Sequence, residues 1–256
     1  MTLAEAFAAA QSGDTITLLA DASFNYGARA KICDASVAAL TIDGGGHVLT
    51  VNATNSDWSS FELTNPDGVL TLKNMTLNKS GYGATGGAWN THAITIRSDL
   101  VMEDVDVNHS LQATKDATFK NVNFTEDEGY YALWLPATGG TISIEGCTFT
   151  ATDGGRGIKV ADQYVAATNL ASVTISIKDS SFETAKKAAV LVTSPAGATI
   201  SVVNVDITKV AADSTNAVWV DEVNADDFGA VTVNGGTAIP EGTVAAYVAT
   251  LSDATK

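Results

Sequence analysis

Apolar and polar residues alternate with a period of two along most of the chain, and one short phrase keeps returning. It runs apolar, small or β-branched, apolar, a mostly charged position, then Gly, Asn or Asp, and a second alternating run follows. The phrase is LTIDG at Leu40, LTLKN at Leu70, LVMED at Leu100, ATFKN at Ala117, ISIEG at Ile142, ISIKD at Ile175, ISVVN at Ile200 and VTVNG at Val231. A period of two puts every second side chain on one face of a strand. The fifth position is Gly44, Asn74, Asp104, Asn121, Gly146, Asp179, Asn204 or Gly235, all types that tolerate positive φ. Each is therefore predicted to turn one short strand sharply into the next.

A third set of apolar runs precedes most copies: Phe61 to Leu63, Ile94 to Ile96, Leu133 to Leu135, Ile158 to Val160, Val190 to Val192 and Val218 to Val220. Copies recur at unequal intervals, so length variation belongs to the connecting loops, and repeats of this size indicate a solenoid or a propeller. Strand, one-residue corner, strand, loop and third strand describe one coil. The predicted fold is all-β, a single-stranded right-handed parallel β-helix with three strands per coil and a short N-terminal capping helix. Residues 1–13 form the cap, 14–238 the coils and 239–256 a C-terminal cap or linker, all within one domain.

Two columns are expected inside it. One carries Ile42, Leu72, Met102, Phe119, Ile144, Ile177, Val202 and Val233; the other carries Leu77, Val107, Phe124, Phe149, Phe182 and Ile207. At the start, Thr2 and Glu5 have capping-box spacing, Leu3, Ala6, Phe7 and Ala10 share a helical face, and Gly13 is placed to end the helix.

The cap leading into GDTITLL, the coil TIDGGGHVLTV and the phrase ISIKDSSF resemble the pectin-lyase-like right-handed β-helix superfamily, and within it non-catalytic repeat regions of secreted and surface proteins of gut bacteria. The resemblance spans nearly the whole chain. It implies the fold and an extracellular or cell-surface location, but no one activity, since that superfamily holds lyases, glycosidases and adhesins alike.

Outward positions carry the candidate chemistry. Thr41, Thr71, Val101, Thr118, Ser143, Ser176, Ser201 and Thr232 form one expected row. Asp43, Lys73, Glu103, Lys120, Glu145 and Lys178 form a second, whose alternating signs read as a ladder of attractive neighbours. The third strand set presents Glu62, Thr95, Trp134, Lys159, Leu191 and Trp219. Trp134, Lys159, Leu191 and Trp219, extended by Tyr130, Tyr131 and Tyr164, are the candidate ligand-binding strip, suited to sugar stacking or a protein hot spot. The other reading is that loops fold back over them.

Composition narrows the partners. The 256 residues carry a net charge of -15, with 29 Asp and Glu against 14 Lys and Arg, which repels phosphate backbones and argues against nucleic acid. It also opposes a polyanionic substrate such as pectate unless bound cations or a local basic groove intervene. No apolar run is long enough for a membrane helix, and MTLAEAFAAA lacks the pattern of a signal peptide. Two cysteines without paired spacing suggest neither a disulfide framework nor a zinc site.

An enzyme would draw on Asp153, Arg156, Lys159 and Asp162, which the segment GGRGIKVAD brings together. This superficially resembles the Arg-Ile-Lys signature of polygalacturonases, but Gly157 interrupts it, and the paired carboxylates that glycoside hydrolysis needs are missing. His47, His92 and His109 have no metal or triad spacing. Acidic runs at Glu126, Asp127 and Glu128 and at Asp221, Glu222, Asp226 and Asp227 offer oxygen ligands for calcium; no other cofactor is expected. The expectation is a monomeric, non-catalytic module that binds a host or bacterial surface glycoprotein, such as mucin or an immunoglobulin, or a glycan. A polysaccharide lyase or glycoside hydrolase and a structural spacer are the alternatives.

Overall fold

The structure, a computed structural model, describes residues 1–54, 59–84, 93–126, 131–135, 138–151, 156–160, 171–182, 188–193, 200–203, 207–210, 216–221, 231–233 and 237–239. It is mostly β with parallel sheets, and the chain forms two compact units, Met1–Thr125 and Glu126–Lys256.

The first unit opens with α1 (Leu3–Ala9). Thr2 caps it: its hydroxyl accepts from the Glu5 backbone N–H at 3.2 Å, and Glu5 accepts from the Thr2 N–H at 2.7 Å. Its strands are β1 (Asp14–Thr17), β2 (Ala22–Tyr26), β3 (Ala30–Ile32), β4 (Ala39–Asp43), β5 (Val48–Ala53), β6 (Ser60–Leu63), β7 (Val69–Gly81), β8 (Ile94–Ile96), β9 (Asp99–Val107), β10 (Leu111–Ala113) and β11 (Ala117–Glu126). They stack in parallel as β1-β4-β7-β9-β11, as β2-β5-β7, and as β3-β6-β8-β10.

The one-residue corner is visible in β7. Leu70 and Leu72 are buried before Asn74, and Met75 and Leu77 after it. In an uninterrupted strand Met75 would share the outward side of Lys73. Asn74 at φ 53° rotates the chain, so both halves of the strand bury their apolar residues. Asp104, Asn121, Gly146 and Asp179 do the same at φ 54°, 52°, 65° and 49°. Gly44 does not: the positive angles there belong to Gly45 at 57° and Gly46 at 86°. Gly44 is required for another reason, since a Cβ on it would lie 2.2 Å from Met75 Cβ. Asn204 and Gly235 lie outside the described residues.

Register then follows the phrase. Ile16, Ile42, Leu72, Met102 and Phe119 stand side by side on successive strands, as do Leu49, Leu77, Val107 and Phe124. All but Ile16 are buried, each such side chain contributing about 1.5–3 kcal/mol. At the capped end Phe7 meets Phe24 edge-on at 5.5 Å, and Phe24 meets Phe61 at 5.3 Å. The outward row pairs Asp43 with Lys73, Glu103 and Lys120 in turn, and Lys73 Nζ lies 3.3 Å from the Asp43 carboxylate.

The second unit contains β12 (Tyr131–Leu135), β13 (Thr138–Glu145), β14 (Thr148–Ala151), β15 (Arg156–Val160), β16 (Ala171–Lys178), β17 (Ser180–Phe182), β18 (Ala188–Thr193), β19 (Ile200–Val203), β20 (Ile207–Val210), β21 (Asn216–Asp221), β22 (Val231–Val233) and β23 (Thr237–Ile239). Parallel stacks run β13-β16-β19-β22, β14-β17-β20 and β12-β15-β18-β21, while β23 turns back antiparallel to β22. Ile144 pairs with Ile177 and Phe149 with Phe182, as the phrase requires.

Two expected neighbours are displaced, the first by one alternation and the second by three residues. Val202 pairs with Ile175 rather than Ile177, so Ser201 lies beside Thr174 and not Ser176. Val210, not Ile207, pairs with Phe182 across an irregularity at Ser180 and Ser181. The first displacement follows from the run VTISI from Val173 to Ile177, which holds two overlapping copies of the apolar-polar-apolar pattern. A slip of two residues keeps every side chain on its face, so alternation alone does not choose between them.

Candidate functional site

The third stack of the second unit carries the expected column. Trp134 pairs with Lys159, Lys159 with Leu191 and Leu191 with Trp219, a run of about 14 Å at the usual strand spacing. Its first three members are not open, however. Trp134 is 4%, Lys159 7% and Leu191 5% exposed, and Ala132 through Leu135 are all buried, so both faces of β12 are covered.

Lys159 Nζ lies 4.9 Å from the centre of the Tyr131 ring and 5.6 Å from that of Trp134. A withdrawn ammonium gains from the negative faces of two rings, so the lysine and the aromatics form one packed group rather than a bare strip. Trp219 is placed beside Leu191 by the backbone. Tyr130 and Tyr164 lie outside the described residues.

The enzyme residues fare differently. Arg156 pairs through its backbone with Tyr131, and Lys159 is held under the rings. Asp153 and Asp162 lie outside the described residues. Of the calcium candidates, Glu126 is fully buried and Asp221 ends β21, while residues 127, 128, 222, 226 and 227 lie outside them. Among the described residues, no group of three or more His, Cys, Asp or Glu is arranged to hold a metal ion, and no helix is long and apolar enough to cross a membrane. Cys33 and Cys147 are both free thiols.

The third stack of the first unit holds what the sequence reading missed. The runs AKI and LQA, too short to stand out, are strands β3 and β10. With them in place Thr95 pairs with Ser60 and Gln112, and Lys31, not Thr95, pairs with Glu62. Ser60, Thr95 and Gln112 are buried although they point outward, and Thr95 donates to Gln112 Oε1 at 2.8 Å.

Beside that row the charge changes sign. Arg29 Nη2 lies 3.8 Å from Glu62 Oε1. Arg97 donates from its backbone to Phe61 O at 3.0 Å, which sets it next to Glu62, and its Nε donates to Ser60 Oγ at 2.9 Å. Burial first, and then the neighbouring Arg29, lowers the Arg97 pKa, while Glu62 opposes the shift. Two of the chain's three arginines and Lys31 thus surround one carboxylate.

A second unforeseen group faces inward. Lys79 continues the buried side of Met75 and Leu77 and donates to Ala93 O at 3.1 Å; burial lowers its pKa to about 8. His109 Nε2 lies 3.0 Å from Lys79 O. The signal available in the sequence was the phase of β7, which puts a lysine where an apolar residue belongs.

The chain matches no family model, no curated protein and no solved structure.

Proposed function

We propose that the chain is a right-handed parallel β-helix of the pectin-lyase-like kind. In this reading it is a non-catalytic module of a secreted or surface-attached bacterial protein, and it holds a host or neighbouring macromolecule against a lateral face. A glycoprotein such as mucin or an immunoglobulin, or a glycan, is the partner. One observation carries the reading: in a chain of net charge -15, Arg29, Lys31 and Arg97 gather around Glu62 on the outward side of β3, β6 and β8. Cations concentrated against the charge of the whole molecule set up a local field for an anionic partner, whereas the fold alone needs no such exception. The face belongs to this cluster rather than to the packed Trp134 column.

The test is capture of the purified chain by immobilised mucin, immunoglobulin and neutral and acidic polysaccharides, with the same polysaccharides assayed for new reducing ends. Binding without cleavage is expected. Cleavage would favour the lyase or hydrolase alternative.

A spacer role has its own support. Many outward polar groups are occupied by neighbours one strand away: Asn52 donates to Asn25 at 2.6 Å, Asn108 to Asn78 at 2.9 Å, Asn121 to Asp104 at 3.0 Å and Asn123 to Asp106 at 2.7 Å. Such ladders stiffen a stack and leave little hydrogen-bonding capacity for a ligand. Absence of any capture would favour this role.

A further inference from the structure

We propose that Arg29, Lys31 and Arg97 bind the carboxylate or sulfate of a single acidic sugar, with Glu62 accepting from that sugar's hydroxyls. This rests on the macromolecule-binding reading and names the ligand of the same face.

The guanidinium groups keep donors for a ligand. Arg97 commits its Nε to Ser60, and among the described residues its guanidinium makes no other hydrogen bond. That leaves the Nη edge of a half-buried, rigidly seated fork, the geometry that grips a planar carboxylate or a sulfate with paired donors. Arg29 reaches Glu62 only at 3.8 Å and its side chain is 66% exposed, so it is within reach of a ligand without first breaking a short bond. Lys31, on the neighbouring strand, is exposed and is the register partner of Glu62. Three positive charges face one negative charge. The carboxylate of Asp34, three residues beyond Lys31, is occupied by the backbone N–H of Ser36 at 2.9 Å and the Ser36 hydroxyl at 2.8 Å.

Glu62 at the centre favours a sugar over a peptide. A partner that brought only carboxylates would meet Glu62 at the centre of the cluster and be repelled by it. A sugar acid brings hydroxyl donors on the same ring as its anion, so it satisfies the arginines and the glutamate together. The extent of the cluster limits the charge of the ligand. On the next strand the outward neighbours are Gln112 and Thr114, both uncharged, so the positive field ends within three strands. A polyuronate would run its further charges along a surface that offers them nothing, within a molecule that repels them.

Calorimetric titration of the full chain with 3′-sialyllactose, galactose 6-sulfate, lactose, trigalacturonate and tetraglutamate tests each part. The sialylated or the sulfated sugar binds, and whichever binds tells carboxylate from sulfate; lactose does not bind. Raising the salt from 50 to 500 mM weakens the binding several-fold, and Lys31→Gln and Arg97→Gln each weaken it about tenfold. Because Lys31 is exposed, Lys31→Gln tests the site even where Arg97→Gln fails to fold. Acidic sugars no better than lactose, or affinity unchanged in Lys31→Gln, overturn the proposal. Tighter binding of trigalacturonate than of the single acids overturns the limit on charge, and equal binding of tetraglutamate overturns the choice of sugar. Mucin capture that survives in Lys31→Gln rejects this site and leaves the broader reading standing; loss of all capture and all titration rejects both.

Discussion

Asn74 donates its Nδ2 to Asp43 Oδ1 at 3.1 Å while its own backbone is held at φ 53°. One residue thus makes the corner and ties it to the strand before. Asn74→Ala keeps a Cβ in the left-handed region, without the side-chain bond that helps pay for it, and is expected to lose about 1–2 kcal/mol in urea denaturation. Asn74→Gly relaxes the backbone and loses less.

The same bond, followed by that from the Gly45 N–H, holds the Asp43 carboxyl below the ordinary carboxylate range. A depressed folded pKa adds stability that is present above the unfolded value and disappears as pH falls through the folded one. Asn74→Ala is therefore expected to narrow the gap in stability between pH 7 and pH 3, measured by urea midpoints at the two values. An unchanged gap would detach Asp43 from Asn74.

Gly44 answers to space rather than to backbone angle. Gly44→Ala drives a Cβ into Met75 Cβ and the Asn74 carbonyl, at 2.2 and 2.6 Å, and is expected to cost about 1–3 kcal/mol. The pair Gly44→Ala and Met75→Ala should cost less than the sum of the two, because truncating Met75 to Ala lets its backbone and Cβ shift away more easily. Strict additivity, read from a double-mutant cycle in urea, would place the strain elsewhere.

Lys79 predicts a slope of stability with pH of the same sign as that of Asp43, but in alkali and from a burial penalty rather than a stabilising bond. Its folded pKa, about 8, lies below the ordinary lysine value, so between about pH 8 and pH 10.5 the unfolded chain binds more protons and stability rises with pH. Wild type should gain on Lys79→Met across that interval, and the two should run parallel below it. Parallel curves throughout would mean that the ammonium is not desolvated.

Trp134 should emit at short wavelength and resist quenching by acrylamide in a chain whose other tryptophans are replaced by Phe, as its 4% exposure requires. Trp134→Ala should cost about 3–5 kcal/mol, since it removes a buried ring and one support of Lys159. Ready quenching would reopen the column as a surface.

The alternation and the corner residues were legible because they follow from backbone geometry: Asn121 and Asp179 both sit at positive φ where the repeated phrase put them. The stacking of Trp134, Lys159, Leu191 and Trp219 was legible for the same reason. Their burial was not, because alternation reports which face a residue takes and not what lies over that face. The cation cluster was hidden more deeply. Arg29, Lys31, Glu62 and Arg97 are scattered in sequence, and only the three-residue strand β3 and its register bring them together. Register between Ile175 and Val202 escaped because a two-residue slip leaves the pattern unchanged.

The corner at Asn74 gives the polypeptide something like a reading frame. If the bend kept its place after removal of that one residue, Met75 would have to make it and each later residue would move up one position, sending Leu77 to water and Thr76 and Asn78 to the interior. Loops between rungs tolerate gain or loss of residues at little cost, because closure entropy grows slowly with length. Relatives of this chain should therefore differ in length almost anywhere except at the five residues of the repeated phrase, and the deletion of Asn74 alone should prevent folding.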